Sequence, residues 1–284
     1  MPGARRRRSA ARPRTDPLPL PPTEPHEDCA MRYADQKSKL LSGVYFGAPG
    51  IYLAGGALNS VFTDRKIADW DVYFQNEARF RASVEEAFDE GMWCTHASHR
   101  SVSFSDGGAS VQFMHFEFFD DAAAIFDAFD FTVCMAAYDF GLGDFVLHDD
   151  FLTDCAARKL RFHGGTRFPI ISALRVLKYQ DRGYTIAREE LLRLALACAA
   201  VDLRSWDDLE HQIGGIYGDR IKVIRDGEFN AAKVISAIGT AVKLEDAKDR
   251  AHEDRDCLGS AEKVFEHIAS IAAAPPAAPV DQAA

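Results

Sequence analysis

The apolar positions of this chain follow two regimes. Up to about residue 138, short β-prone runs alternate with stretches of helical period; from about residue 167 only the helical period remains. The first regime predicts a helix from about Arg32 to Ser42, a strand over Ile51–Ala54 and a turn at Gly55-Gly56. A short helix over 57–62 and a second strand over Ile67–Phe74 follow. Residues 77–90 read as a helix with Phe80, Val84, Ala87 and Phe88 on one face. Two strands, Ser101–Ser105 and Ser110–Phe119, flank the hairpin signal Asp106-Gly107-Gly108. A short helix over 120–129 precedes an apolar segment, helix or strand, at 130–138. The second regime predicts helices over 168–183, 186–201, 205–217 and 230–271, with no convincing strand. Ser205, followed by Asp207 and Asp208, marks a helix start with acids in its first turn. The pattern therefore predicts an α+β fold: a mixed sheet with flanking helices, followed by an all-helical C-terminal region.

Composition sets the ends apart. Residues 1–31 are an Arg/Pro-rich arm without helical or strand period, expected to be disordered, and 272–284 form a loose Ala/Pro tail. Between them lie a predicted catalytic domain at 32–166 and a helical domain at 167–271. Six arginines and no acid fall in residues 1–14, leaving 27 basic against 43 acidic residues elsewhere, a balance of −16. A body this acidic is poorly suited to track a long phosphate backbone, so a nucleic-acid partner would be met locally or by the arm. No apolar run approaches the roughly 20 residues of a membrane helix. The start lacks a secretory h-region, so a cytoplasmic protein without a membrane partner is expected. The six cysteines include no Cys-x-x-Cys, which fits reduced thiols. Cys94, His96 and His99 form a tight cluster that reads as a zinc site or, preferably, a polar loop entering a strand.

Candidate chemistry concentrates between Ile51 and Phe74. An apolar strand ends in Gly55-Gly56, and Asp69-Trp70-Asp71 opens the next. Along an extended backbone alternate side chains share a face, so Asp69 and Asp71 would project together, about 6–7 Å apart at Cα. Two parallel carboxylates suit divalent ions bridging a triphosphate. Glycines without Cβ atoms let backbone N–H groups approach a phosphate. The rival reading is a solvated strand edge beside an ordinary turn. No Ser-His-Asp or Cys-His arrangement stands out.

With the helical half in view, the chain resembles the polymerase-β-like nucleotidyltransferase superfamily. The motif order is most similar to the tRNA CCA-adding and bacterial poly(A) polymerase branch, and to divergent phage proteins of that look. Three stretches carry the likeness: Gly55-Gly56 with Asp69-x-Asp71; DFTVCMAAY at 130–138, similar to that branch's RDFTINALAY; and ALRVLKYQDRGYTI at 173–186, similar to LRAVRFAARLGFEI. The likeness covers about residues 50–190. It implies a five-stranded mixed sheet, catalytic and metal-binding Asp69 and Asp71, and Mg²⁺ or Mn²⁺ as cofactor. Gly55 and Gly56 would hold the triphosphate, Asp130 would sit near the ribose, and Arg175 matches the base-reading arginine. On the residues alone, Asp130 could instead cap a helix and Arg175 could serve a salt bridge. Arg161, Arg167 and Lys178 could meet phosphates or lie exposed. Phe168, Tyr179 and Tyr184 could stack a base, though core packing is the default.

Departures from the branch are plain. Asn59 and Ser60 stand where it has Arg-Asp, Phe129 replaces the arginine before Asp130, and Ile171 and Ser172 replace an acidic pair. Gln112 falls about where a third acid is expected. Glu117, the only acid of VQFMHFEF, is the candidate third metal ligand, although a regular strand puts it on the opposite face. The resemblance thus implies transfer of a nucleoside monophosphate from an NTP to a hydroxyl acceptor, RNA, tRNA or a small molecule, with release of pyrophosphate. The alternatives are transfer onto a protein hydroxyl and a catalytically silent nucleotide-binding module.

Overall fold

Strands β1 (Ile51–Ala54) and β2 (Trp70–Phe74) pair antiparallel at the middle of the sheet, with Ala54 opposite Asp71. The structure, a computed structural model, describes residues 33–44, 46–108, 110–214, 225, 227–230, 233–234 and 258–273. The expected arm at 1–31, the tail beyond 273 and most of the helix read over 230–271 lie outside the described residues. Around the central pair stand β3 (Trp93–Ala97), β4 (Ser101–Ser105), β5 (Ser110–Met114), β6 (Ala136–Asp139) and β7 (Asp144–Leu147). They make one seven-stranded sheet in the order β3-β4-β5-β2-β1-β6-β7. The β2–β5 pairing is parallel and the others antiparallel, so the sheet is mixed.

Eight α-helices are seen among the described residues: α1 (Ala34–Leu41), α2 (Gly56–Phe62), α3 (Glu77–Asp89), α4 (Phe151–Ala157), α5 (Pro169–Asp181), α6 (Arg188–Ala199), α7 (Trp206–Gly214) and α8 (Ala261–Ala273). Local chemistry fixes several ends. The Asn76 side chain accepts from the Arg79 backbone N–H and starts α3. Ser205 and Asp208 exchange hydrogen bonds with each other's backbone N–H and start α7 as a capping box. Pro169 opens α5, where its missing N–H is no loss. One sheet face buries Val72, Phe74, Phe104 and Phe113. Against it α3 lays Phe80 and Phe88, with edge-on aromatic pairs such as Phe74–Phe80 at 5.5 Å and Phe88–Phe104 at 5.4 Å.

The α+β architecture with its mixed sheet and flanking helices is the one the sequence pattern predicts, but the sheet has seven strands rather than five. Two runs went unread as strands: the Cys94–His96 region, which forms β3 rather than a loop, and the short β7. The stretch after residue 167 is not purely helical: β9 (Thr185–Ile186) pairs with β8 (Lys159–Leu160). That pairing ties the start of the helical region directly to the end of the sheet region.

Two strands are shorter than predicted, for the same reason. The pairing of β1 with β2 ends at Ala54↔Asp71 because Gly55 turns the chain away, so β2 begins at Trp70 and leaves Asp69 one residue outside it. β4 begins at Ser101 opposite Met114, so β5 stops there instead of running on to Phe119. A strand without a partner has no ladder to extend.

Candidate active site

At the end of β1, Gly55 adopts φ 82° and ψ −132°, a backbone conformation essentially reserved for glycine, and α2 starts at the next residue. A Cβ added to Gly55 would lie 3.7 Å from Asp71 Oδ2 and 3.4 Å from the Phe129 ring. The bend and the carboxylate are therefore neighbours in space, as the spacing of the two motifs predicts. Asp71 is buried on β2, 5% exposed, while Asp69 is half-buried just before the strand. Phe129, in the place of an arginine, closes one side of this corner and meets Tyr73 edge-on at 6.0 Å.

Tyr73 shares the Asp71 face of β2. Its hydroxyl is wholly buried and has no hydrogen-bond partner among the described residues. Burial, followed by the charge of Asp71, holds its proton well above the ordinary tyrosine range, and nearby Arg175 offsets part of the rise. Asp130 lies on the chain between the 124–128 turn and a 3-10 turn at 132–134. It does not cap the following turn, whose N-cap position is Phe131 without a side-chain hydrogen bond. Instead Arg175 Nη1 donates to Asp130 Oδ2 at 3.0 Å, and Nη2 reaches Cys134 Sγ at 3.7 Å. The helix α5 is thereby fixed to the segment before β6, and Asp130 Oδ1 is buried without a partner among the described residues.

Glu117, the expected third metal ligand, stands outside the sheet. It lies three residues past the end of β5, exposed, in an ion pair with Arg167. That pair also engages Arg167, and Arg161 is held by Asp154 at 3.0 Å, so neither arginine is an uncommitted phosphate contact. Lys178 is exposed on α5. Tyr179 and Tyr184 are core residues: the Tyr179 hydroxyl meets Cys134 Sγ, and Asn59 Nδ2 donates to the Tyr184 hydroxyl at 2.8 Å. Phe168 is buried and carries Arg100 over its ring at 4.8 Å.

Two functional-looking groups were missed by sequence reading. Asp154 on α4 is a buried carboxylate that accepts from Thr132 Oγ1 at 2.6 Å and from Arg161, pinning the loop after Asp130. Asn59, in α2, donates to the Val133 carbonyl at 3.0 Å as well as to Tyr184, tying the helix after the diglycine to the same loop. Only the departure of Asn59 from the branch's arginine flagged it.

The donor chemistry at Asp69 and Asp71 fits a hard divalent cation. Mg²⁺ is typically bound through one or two carboxylates, with waters and substrate phosphates completing the shell. The second glycine of the bend, Gly56, has open space where a side chain would stand. Among the described residues, no three His, Cys, Asp or Glu side chains gather into a group able to hold a metal, Cys94 and the nearby histidines included.

Sheet order, glycine bend and strand-borne aspartate together define an α+β fold with a mixed seven-stranded sheet and a carboxylate beside its central turn. Residues 29–158 match the model of the Gad2 family, described as Gabija anti-defense 2 family protein. The chain is 36% identical over 228 residues to Gabija anti-defense 2 of Bacillus phage SPbetaL7, an alignment covering 76% of this chain and 56% of that protein. The chain thus spans little more than half the length of the curated relative it matches. Among solved structures, it is similar to the Thermotoga maritima CCA-adding enzyme complexed with tRNA, at 15% identity and TM-score 0.43 over 73% of this chain and 49% of that one. It is also similar to a tRNA nucleotidyltransferase with a primer tRNA and an incoming ATP analog, at 16% identity and TM-score 0.45 over 78% and 57% of the two chains. No helix among the described residues is long and apolar enough to cross a membrane.

Proposed function

We propose that the chain is a Mg²⁺- or Mn²⁺-dependent nucleotidyltransferase that moves a nucleoside monophosphate from an NTP to a hydroxyl acceptor. The observation that carries this is the approach of Asp71 to the Gly55 bend, 3.7 Å from where a Cβ would stand. It puts a buried carboxylate and an open backbone turn at one corner. Asp69 and Asp71 hold the cation, and Gly55 and Gly56 admit the triphosphate to the backbone. Asp130 and Arg175, fixed to one another, form the wall beside the sugar and base. The acceptor oxygen bonds to the α-phosphorus, the bond to the bridging oxygen breaks, pyrophosphate departs and the acceptor proton passes to water. The cation, when bound, acidifies the acceptor and neutralises charge on the phosphates. Positioning by these residues supplies the rest of the rate.

The branch's way of choosing C and then A is not carried over. Ile171 is apolar, Ser172 is buried and donates to the Phe168 carbonyl, and both Arg175 amino groups are engaged within the protein. Incubating the protein with each labelled NTP, Mg²⁺ or Mn²⁺, and RNA or protein acceptors tests the proposal. Label on an acceptor is expected, with loss in the Asp69→Ala/Asp71→Ala double variant; turnover unchanged in that variant defeats the assignment.

The 36% identical phage relative adds a setting. We propose that the transfer serves anti-defence against a Gabija system, with a protein hydroxyl or a local RNA as acceptor, each compatible with the acidic body. Phage plating on Gabija-bearing cells that express wild type or Asp71→Asn separates this from the silent module. Protection lost in the variant supports transfer, and protection kept supports binding alone.

A further inference from the structure

Strand β4 reads Ser101-Val102-Ser103-Phe104, an alternation that ordinarily marks one wet face. Here both faces are buried, and Ser101, Ser103 and Gln112 are each at most 1% exposed. Polar side chains placed inside a sheet face cost stability unless they are hydrogen-bonded, so their arrangement has a purpose to be found.

Gln112 on β5 is in register with Asp71 on the parallel neighbour β2 and with Ser103 on β4. Partners in register share a face. The Gln112 amide is oriented by a relay on the β4 side. Nε2 donates to Ser101 Oγ at 3.0 Å, Ser101 Oγ lies 3.4 Å from Ser98 Oγ, and the Ser98 hydroxyl donates to the Ser101 carbonyl at 3.3 Å. An amide carries one donor nitrogen and one acceptor oxygen. With the nitrogen committed to Ser101 on β4, the acceptor left to the amide is its carbonyl oxygen, on a residue in register with Asp71 of β2.

We propose that the Gln112 carbonyl oxygen is a neutral third protein ligand of the cation held by Asp69 and Asp71, with Ser101 as the positioning residue that aims it. The inference rests on the nucleotidyltransferase reading for the presence of a divalent cation at Asp71. A hard cation accepts amide carbonyls as well as carboxylates. Two carboxylates and an amide give the site one negative charge fewer than three acids would, so the ion alone is held weakly and the triphosphate completes the site.

Titrating the full chain with Mn²⁺ alone, and counting free ion by electron paramagnetic resonance, tests this without turnover. Gln112→Leu, which removes the oxygen, is expected to weaken Mn²⁺ binding about tenfold, as loss of a ligand or its support generally does. Gln112→Glu is expected to tighten it by a similar factor, and Ser101→Ala to weaken it less than Gln112→Leu. Circular dichroism without metal checks each fold. Should Gln112→Leu fail to fold, Gln112→Asn keeps the amide but withdraws the oxygen by one methylene, and the same weakening is expected. Wild-type Mn²⁺ affinity in the folded Leu or Asn variant overturns the inference. Asp71→Asn separates the two claims: if it abolishes binding while Gln112 variants bind normally, only the Gln112 role falls. If Asp71→Asn also binds normally, the cation site itself is wrong.

Discussion

Removing the Arg175 side chain with Arg175→Met should destabilise the fold through Asp130. The Asp130 side chain is 3% exposed and Arg175 Nη1 donates to its Oδ2 at 3.0 Å. Its Oδ1 already lacks a partner among the described residues. Methionine fills much of the volume but leaves a buried carboxylate without its cation. Breaking a buried pair from one side costs about 3–5 kcal/mol, because the remaining charge is uncompensated. Arg175 keeps 21% exposure, so water can reach the vacated end and the lower figure, about 3 kcal/mol, is expected. For a domain of this size that corresponds to a fall in Tm of roughly 6–12 °C. Asp130→Asn with Arg175→Met removes both charges and should recover most of the loss, giving a coupling of about 2 kcal/mol in the double-mutant cycle. Thermal melts followed by circular dichroism, with all four proteins in one buffer and no nucleotide, read this directly. If Arg175→Met melts within about a degree of wild type, or if the two substitutions simply add, the pair does not hold α5 to the site and the reasoning fails.

Three further outcomes follow from the same geometry. Gly55→Ala should cost about 1–3 kcal/mol of stability, all of it backbone strain, since the new methyl would meet Phe129 and Asp71 only at ordinary contact distances; an unchanged Tm would contradict the φ of 82°. Asn59→Asp should destabilise by about 3 kcal/mol or more, because the donor to Val133 and Tyr184 becomes a buried acceptor facing a carbonyl; urea unfolding checks it. Burial pushes the Cys155 thiol from 9.0 up to about 12. The unfolded thiol ionises near its ordinary value while the folded one keeps its proton, so this contribution is whole below about pH 9 and is lost as pH rises toward 12. Melts across that range should fall less steeply in Cys155→Ala, and equal slopes would refute the assignment.

What was legible in the sequence was local. The strand at Ile51–Ala54, the glycine bend and the helix behind it all appear where read, because each is fixed by residues within a few positions of one another. The strands that were misjudged depend on partners far away. β2 starts late because β1 turns off at Gly55, and β5 stops early because its paired ladder with β4 ends at Ser101↔Met114. β3 was hidden by its histidine and cysteine content, although Cys94 sits buried against the core and only the edge Trp93 is exposed. Glu117 falls outside the sheet for the same reason, because β5 ends three residues before it.

The polar side of β4 shows why alternation alone could not reveal the site. Period two identifies which residues share a face, but not whether that face meets water, a helix or a ligand. Ser101 and Ser103 look like solvent-facing positions, and Gln112 looks like a missing acid, as long as each strand is read separately. Once register places Gln112 beside Asp71 and Ser103, and burial removes water from all of them, the three strands become one polar floor within an otherwise apolar sheet. A face of that kind is costly for a protein that uses the sheet only as scaffold. It is what a charged ligand bound against the sheet would require, because the hydrogen bonds that replace water must already be in place when the charge arrives.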